Sequence, residues 1–195
     1  MKRSLLLFSK LTLISVVFFV GTLQVFHVFS RARENARRQS CQSNLKQLGL
    51  GMAQYTADYD GRAPLNTASS IGWERMMTAY TKSCPIMNCP SETSIQFSGP
   101  GGGGVGAACP TDYWMNARLF DARGRGLSLK AMPANKLLYG DGDGRKGTSY
   151  YTLDARRFDA KANYATRHLD GANYAFVDGH VKWARPEEIG TTWKW

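Results

Sequence analysis

Four cysteines and a C-terminal third bearing aspartates and histidines are the residues of this 195-residue chain suited to chemistry. Cys41, Cys84, Cys89 and Cys109 are even in number, and such a set in a small exported domain reads as disulfides with three pairings open. They are poorly spaced for zinc. C-x4-C at Cys84 and Cys89 is followed by Cys109 alone, where zinc modules repeat the pair. Asp141-Gly-Asp143-Gly144 matches half of a calcium loop but lacks the later ligands, which favours a glycine-aspartate turn between strands. His168, Asp170, Asp178 and His180 form a second group. The candidate metal ligands are therefore Asp141, Asp143, His168, Asp178 and His180, for calcium or another divalent ion. The competing reading is structural, with Asp178 bonding its own turn and His168 locking a corner. No nucleophile stands beside a base at readable spacing and no Gly-x-Ser-x-Gly occurs, so the chain is not expected to be an enzyme.

The element that must position these groups is a long N-terminal helix. No proline falls between Met1 and Pro64. Leu5 to Phe29 is almost wholly apolar, and Leu11 to Phe29 alone supplies nineteen positions, close to the twenty or so that cross a bilayer. This run exceeds a signal-peptide core and no A-x-A-like cleavage site follows it, so a retained single span over residues 1–30 is expected. Beyond it Cys41, Leu45, Leu48, Met52, Tyr55 and Tyr59 step by three and four, the seam of an amphipathic helix facing a domain of residues 31–195. Cys41 lies on that seam, so a bond to Cys84 or Cys89 would staple the helix down. All four cysteines follow the span, so with disulfides among them the domain is expected outside the cytoplasm; the expected location is a single span in the inner (cytoplasmic) membrane.

Part of the net charge of +10 is local: Arg31, Arg33, Arg37 and Arg38 crowd just after the span against Glu34 alone. They read as a collar on anionic headgroups, each basic residue contributing about 1 kcal/mol near such a surface. A nucleic-acid patch fits less well, because no aromatic platform lies among them.

The first helix should stop at Tyr59-Asp60-Gly61 with Gly61 as a left-handed cap. A second should run from Gly72 to Lys82, with Trp73, Met76, Met77 and Tyr80 on one face. CPIMNCPSE reads as a turn pinned by disulfides, and Gly99 to Gly106 as a surface loop. Strands are expected at Tyr113–Met115, Lys136–Tyr139, Ser149–Leu153 and Ala162–Arg167. Asn173–Val177 and His180–Ala184 joined by Asp178-Gly179 read as a hairpin with a two-residue turn, both turn residues at positive φ. That register pairs Phe176 with Val181 and Tyr174 with Trp183, and puts those side chains on the face that receives the helix. The fold class is α+β, with the helix packed on an antiparallel sheet.

Three stretches together carry a family resemblance. They are RARENARRQSCQSNLKQLGL from Arg31 to Leu50, Cys89-Pro90-Ser91, and RHLDGANYAFVDGHVKW from Arg167 to Trp183, in which His168 is followed by nine residues and Asp178-Gly179. The chain resembles the pilin-like proteins with a prepilin-type N-terminus and an H-x9-DG C-terminal motif, relatives of the major pseudopilins of type II secretion. The resemblance implies a type IV pilin-like fold, His168, Asp178 and Gly179 as structural motif residues, and assembly with other pilin-like subunits through the N-terminal helix. Secretion pseudopilins hold calcium in a C-terminal loop, but Asp141 to Gly144 does not match that loop residue by residue. The N-terminus departs from the family pattern. Lys10-Leu-Thr-Leu-Ile-Ser15 stands where the family has Gly-Phe-Thr-Leu-Ile-Glu, with cleavage after the glycine. Serine cannot supply the intramembrane carboxylate that would pair with a neighbouring subunit's amine. Two other functions compete with a structural subunit: a non-assembling, membrane-anchored binding domain, and DNA capture by the basic face. A metal-dependent hydrolase would need His168 or His180 on a bound metal. The expected partners are pilin-like subunits and membrane lipid, with no small-molecule substrate.

Overall fold

The computed structural model describes residues 2–65, 72–92, 109, 111–142, 152–153, 160–161 and 163–189. The glycine run 99–106, Asp143, Gly144 and positions 149–151 of the expected third strand lie outside the described residues.

One α-helix, α1, runs Lys2–Asp58. The chain divides into two compact units, Met1–Ala36 and Arg37–Trp195. In the first, the apolar side chains from Leu11 to Phe29 are exposed, Phe18 and Phe26 each at 73%. This helix is long and apolar enough to cross a membrane.

In the second unit the later part of α1 buries the expected stripe. Cys41, Leu45, Leu48, Met52 and Tyr55 join the main core, each large apolar side chain stabilising the fold by about 2 kcal/mol. Tyr59 does not join it: it is exposed and stacks on Tyr55, ring centroids 4.3 Å apart. The helix ends in a left-handed turn taken by Asp60 (φ 51°) as well as Gly61 (φ 76°), and the Gly61 N–H bonds the Thr56 carbonyl at 2.7 Å. Helix α2, Trp73–Thr81, starts at Gly72 and closes on Lys82 in the left-handed region. It buries Trp73 and Met77 in the same core.

The sheet contains β1 (Tyr113–Asn116), β2 (Leu137–Asp141), β3 (Thr152–Leu153), β4 (Ala172–Phe176) and β5 (Val181–Ala184), in the order β3-β1-β2-β4-β5. Four strands pair antiparallel, as the α+β reading expects. The short edge strand β3 instead runs parallel to β1.

Three local expectations need correction. Residues 163–166 form a helical turn, α3 (Asn163–Thr166), and not a strand. Consecutive Tyr164 and Ala165 are both buried, which alternating strand geometry would not allow on a one-sided face. The β4–β5 register is also one residue off the expected one. Ala175 pairs Val181, Tyr174 pairs Lys182, and Phe176 N–H bonds the His180 carbonyl at 3.0 Å. The connection is thus three residues long, with Gly179 at φ 84° and Asp178 not at positive φ. A two-residue turn would force Asp178 into the left-handed region, whereas a three-residue loop asks that only of glycine.

A one-residue slip exchanges faces, which produces the third correction. Ala175, with Val177 and Val181, faces α1, together with Tyr113, Met115 and Tyr139. Tyr174 and Phe176 turn the other way, into a second small core with Trp114, Leu137, Tyr164, Ala165, Ala172 and Ala184. Gly140 makes that second core fit. A Cβ there would stand 2.3 Å from the Trp114 ring and 2.9 Å from the Tyr174 ring. Gly140→Ala is expected to lower stability by about 2–3 kcal/mol through overpacking, read as a reduced urea midpoint. An unchanged midpoint would mean that the two rings are not packed on Gly140.

Candidate functional site

Four separate stretches meet beneath the first turn of the α1 stripe. Cys41 comes from α1 and is bonded to Cys89, while Cys84 is bonded to Cys109. Of the three pairings open from sequence, the structure has this one. Cys89 follows a 3-10 turn, Pro85–Met87, that is tied to the start of β1. There the Asp112 N–H bonds the Met87 carbonyl at 2.9 Å, and the Cys89 N–H returns to Asp112 Oδ2 at 2.8 Å.

His168 arrives from a tight corner. Leu169 and Asp170 both occupy the left-handed region (φ 57° and 66°), and the His168 N–H bonds the Gly171 carbonyl at 2.8 Å. The doubly left-handed turn expected at Asp178-Gly179 is thus found here, one strand earlier. Trp183 on β5 fixes the corner, its Nε1–H donating to the His168 carbonyl at 2.8 Å. The His168 ring is fully buried, with Nε2 3.4 Å from Cys89 Sγ and 3.4 Å from Asp141 Oδ2. Asp141, at the end of β2, also accepts the Asn173 N–H at 2.6 Å.

The electrostatics around this centre are those of buried carboxylates with partial compensation. Burial pushes the Asp141 carboxyl up, while His168, Arg167 and the Asn173 N–H pull it down, and the net direction is upward. Asp112 is pushed up to about 6, chiefly by burial, against the Cys89 N–H and Arg167. Arg167, itself almost fully buried, pairs with Glu92 and donates to the Gly142 carbonyl. The folded chain therefore holds the Asp112 proton more tightly than the unfolded chain does. This group's contribution is fully present below the ordinary carboxylate range near 4, and it is lost as pH rises through about 6. Asp112→Asn keeps an acceptor for the Cys89 N–H without the charge. Urea midpoints at pH 5 and pH 8 should differ less in that variant than in the parent. The gain at pH 8 is bounded by roughly 3 kcal/mol.

The candidate ligands do not gather as one set. Asp141 and His168 meet in the buried centre. Asp178 and His180 meet at the exposed hairpin tip, Oδ1 to Nδ1 at 2.5 Å, with His180 stacked on Phe176 at 4.1 Å. Burial, the largest single influence, raises the Asp178 carboxyl, but the His180 N–H and ring together outweigh it and hold the group below its ordinary value. Asp178 Oδ1 also accepts the His180 N–H at 3.0 Å, so it does bond its own turn. Asp170 is exposed, and Asp143 is outside the described residues. Among the described residues, the group of three or more ligand-type side chains whose atoms all lie within 4.8 Å of one another is Cys41, Cys89 and His168. Of the basic collar, Arg31, Arg33 and Arg37 are exposed, whereas Arg38 is half-buried with its guanidinium 5.5 Å from the Trp183 ring centroid.

The geometry also bears on nucleophilic chemistry. In a Cys-His-carboxylate relay the carboxylate orients the ring nitrogen remote from the sulfur. Here both sulfur and carboxylate face Nε2, and the sulfur is held in a disulfide. The motif His168, Asp178 and Gly179 instead brackets β4. His168 packs against the Cys41–Cys89 bond, while the Gly179 carbonyl accepts Lys46 Nζ of α1 at 2.6 Å. Asp112, Glu92 and Arg167 were given no role from sequence, and Trp183 only a place on the hairpin face. The available signals were the acidic residues following Cys-Pro-Ser and preceding β1, and the arginine adjoining His168.

Residues 30–72 match the model of a family described as a protein of unknown function (DUF1559), one associated with pilin-like, prepilin-type proteins. No curated protein and no solved structure matches the chain. The family match, the apolar N-terminal helix and the two disulfides are consistent with a pilin-like, membrane-associated protein.

Proposed function

We propose that the chain is a structural subunit of a pilin- or pseudopilin-like assembly, of the type II secretion or type IV pilus kind. In this reading the apolar part of α1 anchors it in the cytoplasmic membrane, the domain lies outside, and the subunit associates with others of its class through that helix. One observation carries the reading: within a single helix, the apolar side chains of Leu11 to Phe29 are exposed while the stripe from Cys41 to Tyr55 is buried. Lipid and neighbouring apolar helices are the environments that such a surface fits. Two disulfides support an oxidising compartment for the domain. The reading assigns no reaction and no small-molecule substrate.

Lys10 and Ser15 favour a second reading, a permanently anchored, non-assembling domain that binds a partner outside the cell. DNA capture is less supported, because Arg38 lies over Trp183. The deciding experiment is intact mass and N-terminal sequencing of the protein from isolated membranes. A chain beginning at Leu11 with a methylated amine supports the assembling subunit. One beginning at Met1 supports the anchored domain, and one beginning near Arg31 removes both readings.

A further inference from the structure

We propose that the Cys41–Cys89 pair and His168 form a metal site in the reduced protein, so that the same three side chains serve either as a disulfide against an imidazole or as ligands of one divalent transition-metal ion. The inference is independent of whether the subunit assembles.

The placement argues for it. Three stretches far apart in sequence deliver two sulfurs and one imidazole nitrogen to within 4.8 Å of one another, at 0% exposure for Cys41 and His168 and 2% for Cys89. The 3.4 Å between Cys89 Sγ and His168 Nε2 is close to the ligand–ligand edge of a tetrahedral site with Zn–S near 2.3 Å and Zn–N near 2.0 Å, an edge of roughly 3.5 Å. Asp141 Oδ2 also lies 3.4 Å from that Nε2, outside the three-residue group. Two thiolates with an imidazole are a soft-to-borderline donor set, which selects zinc over calcium. The expected carboxylate-and-imidazole site at Asp141 and His168 thereby changes to a sulfur-rich site that takes a different metal.

A dithiol or phosphine reductant breaks the Cys41 Sγ–Cys89 Sγ bond and is oxidised by two electrons, and each sulfur takes up one proton. Metal binding then releases those two protons, leaving two thiolates on the ion. Either state cross-links α1 to the Cys-Pro-Ser loop, so the helix stays tethered to the domain before as well as after oxidation.

The test uses the full chain in detergent micelles, reduced with a trialkylphosphine, freed of excess reagent without oxygen, and titrated with Co2+ as the spectroscopic probe. One equivalent should develop thiolate-to-cobalt charge-transfer and tetrahedral d–d bands, which Zn2+ then bleaches. His168→Gln should weaken binding by roughly 100-fold or more. The Cys84→Ser/Cys109→Ser variant should bind as the parent does. Near-ultraviolet circular dichroism provides the second readout: if reduction loosens the domain, Zn2+ should restore its signal in the parent but not in His168→Gln. Absence of cobalt bands together with no zinc-dependent recovery overturns the proposal. So does binding that survives loss of His168, or binding that follows Cys84 and Cys109.

Discussion

Replacing both Cys41 and Cys89 by serine is expected to lower the unfolding free energy by about 4 kcal/mol, with the Cys84/Cys109 pair costing slightly less, about 3.5 kcal/mol. The ranking comes from the loops that each bond closes, 48 residues against 25. Longer closed loops remove more freedom from the unfolded chain, and the dependence is logarithmic, so the difference between the two bonds is small. Site chemistry widens it. Cys41 and Cys89 lie in the main core beside His168 and Asp141, and two serine hydroxyls there must find partners in a pocket with no solvent. Cys84 is 7% exposed, so substitution there is met by a less closed surrounding. Urea titrations of the full chain in detergent, followed by tryptophan fluorescence under non-reducing conditions, measure both variants. The assignment of Cys41–Cys89 as the principal staple fails if the Cys84/Cys109 variant is clearly the less stable.

Disulfide loss of this size matters because the domain depends on α1 for its core. Leu45, Leu48, Met52 and Tyr55 supply one wall of it, and the other wall is the α1-facing side of the sheet. The helix cannot be released at Cys41 without loosening that contact. The bond therefore holds the domain-carrying part of the helix to the rest of the domain. Lys46, five residues on, repeats the tie through the Gly179 carbonyl.

Much of this was legible from residue types. The apolar run, the three- and four-residue stepping of Cys41 to Tyr55, and the Trp73 and Met77 face each follow from a single period, and each is found. The Cys41–Cys89 bond was one of the two staples left open from sequence, but the arrival of His168 beside it was foreshadowed only by the presence of all three residues in family-like stretches, because sequence spacing does not encode distance across a fold. The hairpin register was missed for a physical reason. Asp-Gly is compatible with a two- and a three-residue connection, and the choice depends on whether Asp178 must enter the left-handed region. That one residue exchanged the faces of the hairpin, so Tyr174 and Phe176 were assigned to the helix side when they build a second core. The turn at Leu169-Asp170 was illegible because nothing about leucine favours positive φ; tertiary ties through Trp183 and Gly171 hold it there. The candidate ligand set failed to gather because β4 lies between its two halves, separating His168 from Asp178 and His180.

The second large effect is expected at His168 in the disulfide-intact protein. His168→Leu preserves approximate volume but leaves Asp141, at 0% exposure, with burial opposed by Arg167 and Asn173 without the His168 ring. A carboxyl in that position takes a proton instead of staying ionised. Holding that proton at pH 7, against an ordinary value near 4, costs at most roughly 4 kcal/mol. The sign follows from proton binding. Above about pH 4 the folded variant binds more protons than the unfolded chain, so its stability falls as pH rises. Below that range both states are protonated and the penalty vanishes. The parent should show a shallower slope, because the His168 ring offsets part of the burial. Adding Asp141→Asn to His168→Leu should recover most of the loss at pH 7 and very little at pH 4.5, while a merely steric role for His168 would leave the deficit the same at both. Urea midpoints of the four proteins at those two pH values decide between the accounts. A pH-independent deficit that Asp141→Asn does not relieve would place His168 as packing alone. A deficit that grows with pH and is relieved would make the His168–Asp141 contact the electrostatic reason that this motif keeps a histidine beneath the Cys41–Cys89 bond.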